Sequence, residues 1–448
     1  MRGDRRIMLN IRRFVERLVF TLKTKGVVGF ILRVATLIKR FDFSGNKMKE
    51  AVLTIEQLGK KYKYRPAMIV PGVVLKRHHK LLNYSSHTNL EFAIHGYTHK
   101  NFKPLGLDEQ VSEIRKAKGV FEQLQIHPYG FRAPYLSWNG HTGQAVQRNN
   151  LLWESNETFI WNGFKKSHLS KLRHFMEKAI RVLYNPLDAP KSVVIPRLQG
   201  EIVCIPIALP DDEILIDRLG FKDSSTISGL WTEILECTHQ RGDIFVLQLH
   251  PERLPICREA MEGLLDKALN SERDIWVTGM KEVAQWWKEK SRFQFAFEAA
   301  PGKGWRAHCK CTDRAVILGR NVPGKVSQAA FYRDYRVIEE RDFLVESENR
   351  KPCIAVHPQC SQELLKFLGD EGFPYEVSDN SVGYSLFLKD YETFGRKNEL
   401  DLLNKIEESP NPIVRYWLWP DAQKSAFVTS HDLDCVTLTD FLLRLFGR

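Results

Sequence analysis

Near its end, the chain of 448 residues reads Ser425-Ala-Phe-Val-Thr-Ser-His-Asp-Leu-Asp434, an apolar, strand-like run that leads to two carboxylates. Side chains in an extended strand alternate between its faces, so Asp432 and Asp434 point to the same side. Such a pair after a buried strand favours a cation site, with one aspartate as a ligand and the other as a proton acceptor. A turn or a helix cap before the predicted helix Thr437–Phe446 is the alternative interpretation.

Histidines follow two further apolar runs. His95-Gly-Tyr-Thr-His99 comes after the strand predicted at Phe92–Ile94, and two histidines four residues apart can chelate one metal if the loop turns helically. From that spacing alone, ordinary core or surface histidines are an equally good interpretation. His250 follows the strand predicted at Ile244–Leu249, and Arg132-Ala-Pro-Tyr135 follows a fourth candidate strand.

Strand patterns alternate with helix patterns, which predicts an α/β fold with a largely parallel sheet, open or closed as a barrel. The clearest predicted strands are 66–71, 92–94, 244–249 and 275–278, and the clearest predicted helices are 46–60, 109–124 and 280–290. Sites in such folds lie at the carboxyl ends of the strands. The four strand ends therefore predict a single site.

The pattern divides the chain into four segments. Residues 1–45 form a basic amphipathic helical segment, 46–296 the main strand–helix region, 297–415 a small α/β domain, and 416–448 a final strand and helix. The third segment is predicted from short strands at 315–318 and 353–356 and from helices at 362–369 and 398–407.

The net charge of +12 is concentrated in part at the N-terminus, where residues 1–40 hold eleven lysines and arginines against two acids. A basic amphipathic helix can lie on an anionic membrane surface, and packing of its apolar stripe on the rest of the protein is an equal alternative. Nucleic acid is not expected as a partner, because no binding motif accompanies the charge.

The cysteines and the hydropathy of the sequence indicate the cellular compartment in which we expect the protein. The eight cysteines are scattered, apart from Cys309-x-Cys311, and favour reduced thiols with a structural role. No run of eighteen uncharged apolar residues occurs and the first forty residues lack the apolar core of a secretory signal. We therefore expect a cytoplasmic protein, with a peripheral position at the inner face of the membrane as a variant.

Together these residues resemble the motifs of the polysaccharide deacetylases, the NodB-homology proteins of carbohydrate esterase family four. The matching segments are Ser430-His-Asp-Leu-Asp434, His95-Gly-Tyr-Thr-His99, Arg132-Ala-Pro-Tyr135, Trp153-Glu-Ser with Trp161, Leu247-Gln-Leu-His-Pro251, Ala208-Leu-Pro-Asp-Asp212 and Val277–Trp287. The resemblance covers residues 46–296 and 416–448. It implies a distorted (β/α) barrel with the segment 297–415 inserted into it.

The order of the motifs departs from the family. There the aspartate motif comes first, on strand one, whereas here the N-terminal position offers only Phe41-Asp-Phe-Ser-Gly45 and the aspartates come last. We therefore expect a circular permutation in which the tail supplies strand one. Chain termini that open in a surface loop cost little stability, which makes such a rearrangement feasible.

The resemblance also implies roles for individual residues. Asp434, His95 and His99 would bind a divalent metal, zinc first, with cobalt, nickel or manganese as alternatives, and His431 is a further ligand candidate. The implied catalytic residues are Asp432 as general base, Arg132 orienting it, Tyr135 giving its backbone N–H to the oxyanion, and His250 as general acid.

Substrate-binding candidates complete the set: Trp138, Trp153, Trp161, Asp211 and Asp212. Each tryptophan taken alone fits a core position better than a sugar platform. Glu154 stands where family members often carry an aspartate.

The activity implied is a metal-dependent carbohydrate deacetylase that removes an N-acetyl or other acyl group from a sugar. An expected intracellular location favours an acetylated sugar in a nucleotide-linked or lipid-linked glycan precursor, and the basic N-terminus suits a lipid-linked one. The alternative is a catalytically inactive relative that binds a glycan or a partner enzyme.

Overall fold

A computed structural model of the chain describes residues 35–82, 89–161, 178, 180–182, 184–270, 274–302, 304–322, 326–347 and 350–445. Most of the predicted basic segment 1–45 lies outside these described residues, so its helix stays a prediction. In the described part of the chain, no helix is long and apolar enough to cross a membrane.

The described residues of the main region and the tail contain twelve strands. They are β1 (Ala67–Val70), β2 (Glu91–Ile94), β3 (Pro128–Phe131), β4 (Trp153–Glu154), β5 (Thr158–Ile160), β6 (Leu187–Asp188), β7 (Arg197–Gln199), β8 (Ile202–Cys204), β9 (Ile207–Leu209), β10 (Ile244–Leu249), β11 (Ile275–Val277) and β21 (Ser425–Asp432). The segment between β11 and β21 adds β12 (Gln294–Ala300), β13 (Gly304–Lys310), β14 (Ile317–Arg320), β15 (Arg336–Ile338), β16 (Asp342–Glu346), β17 (Lys351–Val356), β18 (Tyr375–Val377), β19 (Tyr384–Leu388) and β20 (Ile413–Tyr416).

The described α-helices are α1 (Asn46–Lys61), α2 (Gly72–Leu82), α3 (Leu107–Gln123), α4 (Thr142–Arg148), α5 (Ser224–Arg241), α6 (Leu254–Ala268), α7 (Met280–Lys290), α8 (Gln362–Glu371), α9 (Arg396–Glu408) and α10 (Leu438–Leu445). Short 3-10 turns occupy Pro134–Leu136, Ala189–Lys191 and Pro251–Arg253, and a π-helical turn occupies Glu213–Arg218. The clearest predicted helices and strands are confirmed to within two residues, whereas the strand predicted at 315–318 lies at Ile317–Arg320.

One large sheet contains twelve of these strands, in the order β6-β5-β9-β10-β21-β1-β2-β3-β4-β8-β7, with β11 beside β21. Its neighbours pair in parallel, except for the antiparallel pair β7 and β8. The predicted α/β fold is therefore confirmed.

The sheet curls because β8, near one end of the strand order, leads almost directly into β9, near the other end. Only Ile205 and Pro206 separate β8 from β9, so the facing ends of these strands lie at most about 11 Å apart. Yet β8 pairs with β4 at one end of the strand order, and β9 pairs with β10 near the other end. Strands β9, β10, β21, β1, β2, β3, β4 and β8 must therefore bend into a distorted barrel.

The tail strand β21 sits inside this barrel wall. It pairs in parallel with β1, where Ile69 faces Asp432, and with β10, where Leu249 faces His431. All eight of its residues are buried. The C-terminal strand thus fills the position that the permutation requires, and the permutation itself stays a prediction.

Alternate residues of the central strands join two different hydrophobic clusters. Met68 and Val70 pack in the cluster that contains the apolar faces of α1, α5 and α6. Ala67 and Ile69 belong to the second cluster, which includes residues of α7. Strands covered on both faces in this way are uniformly apolar, as parallel sheets usually are.

The helix α5, which leads into β10, is capped at both ends. The Asp223 side chain accepts hydrogen bonds from the N–H groups of Ser225 and Thr226 at the start of the helix. Gly242 ends the helix with φ 72°, and a Cβ there would lie 2.8 Å from the ring of Trp417. Only glycine meets both demands without strain.

The segment 297–415 forms three small sheets, ordered β12-β13-β16, β15-β14-β20 and β18-β17-β19. Only the third is parallel, and α8 and α9 belong to the same segment, so its α/β character is local to residues 351–408. Apolar side chains of β14 and β17 share the second hydrophobic cluster with the barrel strands. The predicted domain boundaries stay predictions.

A buried carboxyl group lies at the amino end of β2. The carboxylate oxygens of Glu91 accept hydrogen bonds from Trp153 Nε1 at 2.8 Å and from the backbone N–H of Lys281 at 2.9 Å. Burial nevertheless raises the pKa of Glu91 to about 8. The group is therefore a source of pH-dependent stability.

Replacing Glu91 with glutamine should weaken the dependence of stability on pH. Folded protein keeps this group protonated up to about pH 8, whereas the unfolded chain ionises it near pH 4.5, so the free energy of unfolding falls as the pH rises between these values, by up to about 1.4 kcal/mol per pH unit. Urea unfolding at about pH 5.5 and about pH 7.5 measures the slope. The exposed control Glu122→Gln should keep the wild-type slope, and an unchanged slope in Glu91→Gln would refute the assignment.

Candidate metal centre

The parallel strands bring their carboxyl ends to one edge, where the predicted site residues meet. His95 follows β2 and its N–H donates to Val70 O, and Arg132 follows β3 and its N–H donates to Ile94 O. Asp432 ends β21, and His250 follows β10. Each side chain thus projects from the last residue of a strand or the first residue beyond it.

Three groups converge at the centre of this edge. The carboxylate oxygen Oδ1 of Asp434 lies 2.9 Å from His99 Nε2 and 3.4 Å from His95 Nε2. One ligand atom from each of the three residues lies within 4.8 Å of the others. The His95 ring is held by a contact of 2.8 Å between its Nδ1 and Arg132 O, which leaves Nε2 for the centre.

The arrangement fits a divalent cation. Two ligands at the usual zinc distances lie about 3.3 Å apart across a tetrahedral ion, close to the separations found here. His99 Nε2 and Asp434 Oδ1 are buried and are not aligned for a hydrogen bond with each other or with another group in the described part of the chain. Buried polar atoms of this kind require a partner, and a cation between them would supply it.

The protonation states also suit a metal. Burial lowers the pKa of His99 to about 4, so its ring is neutral at neutral pH. Burial alone would raise the pKa of Asp434, but the neighbouring His99 and Arg444 hold that pKa well below its usual range. Neutral imidazole and ionised carboxylate are the forms that coordinate metals.

Asp432 lies beside this centre, in a network of donors. Its Oδ1 accepts from Arg132 Nη1 at 2.8 Å and its Oδ2 accepts from Gln248 Nε2 at 3.1 Å. The same Arg132 nitrogen also donates to Ser430 Oγ at 3.0 Å. Oδ2 lies 3.9 Å from His95 Nε2, so this oxygen faces the metal centre.

The loop Arg132-Ala-Pro-Tyr135 is fixed by the residues that follow β4. Arg132 donates through Nε to Ser155 O and through Nη2 to Ser155 Oγ, and the backbone N–H of Ala133 donates to Asn156 Oδ1 at 2.7 Å. Tyr135 adopts φ 62°, and its ring packs edge-on against His99 with centroids 4.6 Å apart. The loop therefore places the Tyr135 backbone at the mouth of the site.

His250 is paired with a carboxylate behind it. Asp212 accepts from the His250 backbone N–H at 2.6 Å and contacts its Nδ1 at 2.7 Å. Burial by itself would lower the pKa of His250, but the charge of Asp212 outweighs it and raises that pKa well above its usual range. His250 is thus held as an imidazolium.

Asp211 and Asp212, predicted to bind substrate, are both buried and do not face an open surface. Asp212 is occupied by His250, and Asp211 accepts from the N–H of Ile214 at 2.9 Å. The prediction is wrong for this pair, because the turn after the strand directs both carboxylates inward. Burial and the adjacent Asp212 raise the pKa of Asp211 to about 7.

Two of the three tryptophans predicted to stack on sugars belong to the core. Trp153 is fully buried, its Nε1 donates to Glu91, and its ring leaves no room for a Cβ at Gly130. Trp161 is also buried, with the Arg241 guanidinium 5.4 Å from its ring centre. Their apolar surface stabilises the barrel, so the prediction is wrong for both. Trp138 is 40% exposed and remains available to a ligand.

His431 does not join a metal-binding group within the described residues. It is fully buried, and burial lowers its pKa to about 4. The proposed extra ligand is therefore not supported, since alternation along β21 points His431 away from the face that carries Asp432.

The sequence interpretation missed several residues that touch the site. They are Gln248, Ser430, Ser155, Asn156 and Arg444. Gln248 was detectable, because it is a polar residue inside the apolar run Ile244–Leu249. The others carry no such signal, since their contacts join distant parts of the chain or cross from a helix to a strand.

Replacing Asp212 with asparagine should lower the pKa of His250 by about 1–3 units, because the amide removes the charge and can accept only one of the two hydrogen bonds from His250. Titration of the His250 ring nitrogens by ¹⁵N NMR measures the change. Asp243→Asn is the matched control, because Asp243 is also buried and lies just before β10, at the opposite end of that strand from His250, and it should leave the His250 pKa well above normal. Equal values in wild type and Asp212→Asn would show that Asp212 is not the cause.

Comparison with known proteins places this geometry in context. Residues 41–152 match the family model described as polysaccharide deacetylase. That segment contains His95, His99, Arg132 and Tyr135, whereas the aspartates and His250 lie outside it. None of the curated proteins matches the chain.

Three solved structures are similar to parts of the chain. Proteins carrying the name polysaccharide deacetylase from Mycobacterium smegmatis and Pseudomonas aeruginosa PAO1 are 17% and 13% identical, each with a TM-score of 0.40. The matches cover 54% of this chain and 77% of the first protein, and 55% of this chain and 74% of the second. A family 4 pseudoenzyme from Bacillus anthracis is 16% identical with a TM-score of 0.24, over 38% of this chain and 54% of its own.

Scores this low carry no argument about function. The family match, by contrast, begins at Phe41 and includes the histidine and arginine motifs. The resemblance predicted from the motifs is therefore confirmed: the chain is similar to the polysaccharide deacetylase family through residues 41–152.

Proposed function

We propose that the protein is a metal-dependent deacetylase that hydrolyses the N-acetyl group of a sugar. One observation carries the proposal: the ligand atoms of His95, His99 and Asp434 converge in a buried position, with the carboxylate of Asp432 beside them. A divalent cation bound there, zinc first and cobalt, nickel or manganese as alternatives, would polarise the acyl carbonyl and acidify water.

Asp432 is the general base in this proposal. Its Oδ1 is held by Arg132, so the carboxylate cannot rotate, and Oδ2 is directed to the metal centre with a single bond from Gln248. The fixed guanidinium holds the Asp432 carboxylate in place to accept a proton from the attacking water.

His250 is the general acid. The charge of Asp212 keeps its ring protonated, and the contact at Nδ1 leaves Nε2 to donate to the departing amine. The Tyr135 backbone N–H, set by the anchored loop, is the candidate donor to the oxyanion. Base, acid and oxyanion donor thus all come from strand ends or loops at one edge of the sheet.

The mouth of the site suits a sugar. Tyr135 and Trp138 are exposed on the same loop, and an indole face is a common platform for a pyranose ring. Trp138 is the single candidate that remains of the three tryptophans first considered.

Ligand removal should separate metal binding from catalysis. His99→Ala and Asp434→Ala should lose the metal and release no acetate, whereas Asp432→Asn should retain the metal and lose about 10²–10⁴-fold in kcat, as expected for removal of a general base. The measurements are metal content after dialysis and acetate release from a panel of N-acetylated sugars. Asp243→Asn, at a buried carboxyl at the opposite end of β10 from His250, is the control that should keep both properties.

The outcomes also distinguish the inactive alternative. Wild-type protein that binds metal yet releases no acetate from any sugar would favour a glycan-binding or partner-binding relative without catalysis. Wild-type metal content in Asp434→Ala would exclude the site proposed here.

We further propose a lipid-linked glycan precursor as substrate and a cytoplasmic location at the membrane face. Beside the site, the backbone N–H of Leu438 donates to Asp42 O, which joins the start of α10 to residues 35–45. We call residues 35–45 and α10 together the rim of the site. Phe43 on this rim is 75% exposed, and Ile38 and Leu442 are also exposed. The basic residues of 1–40 would add attraction to anionic lipid.

A double substitution of Phe43 and Leu442 by serine should therefore weaken binding to vesicles that contain anionic phospholipid, because it removes apolar area from the rim. Co-sedimentation at low and high salt measures the binding. Val182→Ser, at an exposed apolar position outside the rim, is the control. Equal sedimentation of the rim variant and wild type would refute the rim as the lipid contact, and failure of wild type to sediment would refute the membrane location.

A further inference from the structure

The two oxygens of Asp434 have different partners. Oδ1 is the atom shared by His95 and His99, at 3.4 and 2.9 Å. Oδ2 accepts a hydrogen bond of 2.6 Å from Arg444 Nη1. A carboxylate can bind a metal through one oxygen or through both, and here the second oxygen is already occupied.

Arg444 is itself held in place. Its guanidinium lies 5.4 Å from the ring centre of Phe441 and 6.0 Å from that of Tyr135, two aromatic faces that attract a cation. Its side chain is only 19% exposed. A partly buried guanidinium with a short bond to a carboxylate is a fixed partner and not a passing surface contact.

The helix that carries Arg444 is anchored at its other end. Asp440 accepts from Thr437 N–H and lies 3.2 Å from Arg77 Nη1 and 2.6 Å from His78 Nε2 on α2. Thr437 in turn caps the helix start through its hydroxyl, which accepts from Asp440 N–H. The position of Arg444 is therefore set by α10 as a whole, independently of the metal centre.

We infer that Arg444 is a positioning residue that keeps Asp434 a one-oxygen ligand and directs Oδ1 to the point between His95 and His99. The inference rests on the proposed metal site and deepens it. Without the bond to Oδ2, the Asp434 side chain can rotate about its terminal bond or offer both oxygens. Ligand groups depend on such partners for orientation, and their loss typically costs about 10–100-fold in metal affinity.

The helix anchor provides a matched control. Arg77→Leu removes one of the two contacts that Asp440 makes with α2 at the far end of α10, and the described contact of Arg77 is with Asp440 and not with a ligand residue. Arg444→Leu removes the bond to Asp434 from the same helix. If Arg444 acted only by holding α10 on the protein, the two variants would lower the metal affinity to a similar extent.

The experiment compares wild type, Arg444→Leu, Arg444→Lys and Arg77→Leu. Zinc affinity is measured by competition with a chromophoric chelator, and the visible absorption of the Co²⁺-loaded proteins reports the coordination number. We expect Arg444→Leu to lose about 10-fold or more in zinc affinity and to show the weaker Co²⁺ absorption of a higher coordination number. Arg444→Lys should recover most of the affinity, because a single nitrogen makes the bond, and Arg77→Leu should match wild type.

Wild-type affinity and spectrum in Arg444→Leu would overturn the inference and leave the metal site standing. Equal losses in Arg444→Leu and Arg77→Leu would also overturn it. A wild type that binds neither zinc nor cobalt would overturn the proposed function together with the inference. Thermal unfolding of each variant verifies folding, and Arg444→Met, which keeps a long side chain without a hydrogen-bond donor, replaces Arg444→Leu if the latter does not fold.

Discussion

The pairing of β21 between β1 and β10 is the interaction on which the rest of the molecule depends. Two parallel ladders hold it there, and without it β1 and β10 would present unpaired edges to each other across a gap in the barrel. The same pairing brings Asp432 and Asp434 to the strand ends that carry His95 and His250. One set of backbone hydrogen bonds thus closes the fold and assembles the site.

The charged groups at this edge of the sheet are largely buried, and each is paired with a group of opposite charge. Arg132 neutralises Asp432, Arg444 neutralises Asp434, and His250 is paired with Asp212. Unpaired, any of these ions would cost several kcal/mol in the barrel interior. The pairing also separates their functions, because Arg444 helps to hold the pKa of Asp434 well below its usual range, while the charge of Asp212 raises the pKa of His250 well above its own.

The remainder of the chain supports the barrel from its other end. Trp287 of α7 donates to Asp370 in the inserted segment, and Arg197 at the end of β7 pairs with Glu399 of α9. Trp286 donates to Leu418 O, just ahead of the tail strand. The inserted segment therefore packs directly on the barrel through polar contacts as well as through a shared apolar cluster. Beyond β20, the chain returns from this segment to the barrel wall as β21.

The sequence by itself determined the local elements and the chemical types at the strand ends. Alternating apolar periodicity predicted the strands and helices, and His95, His99, Arg132, His250 and the tail aspartates could be named as one set, because parallel strands end at one edge. Only the tertiary structure decided which polar residues face that edge. Asp211, Asp212 and Trp153 are of residue types that often bind substrates, yet the packing of the fold buries their side chains. Arg444 joins the site through a helix whose position depends on contacts with α2, and contacts between distant segments leave no periodic signal in a single sequence.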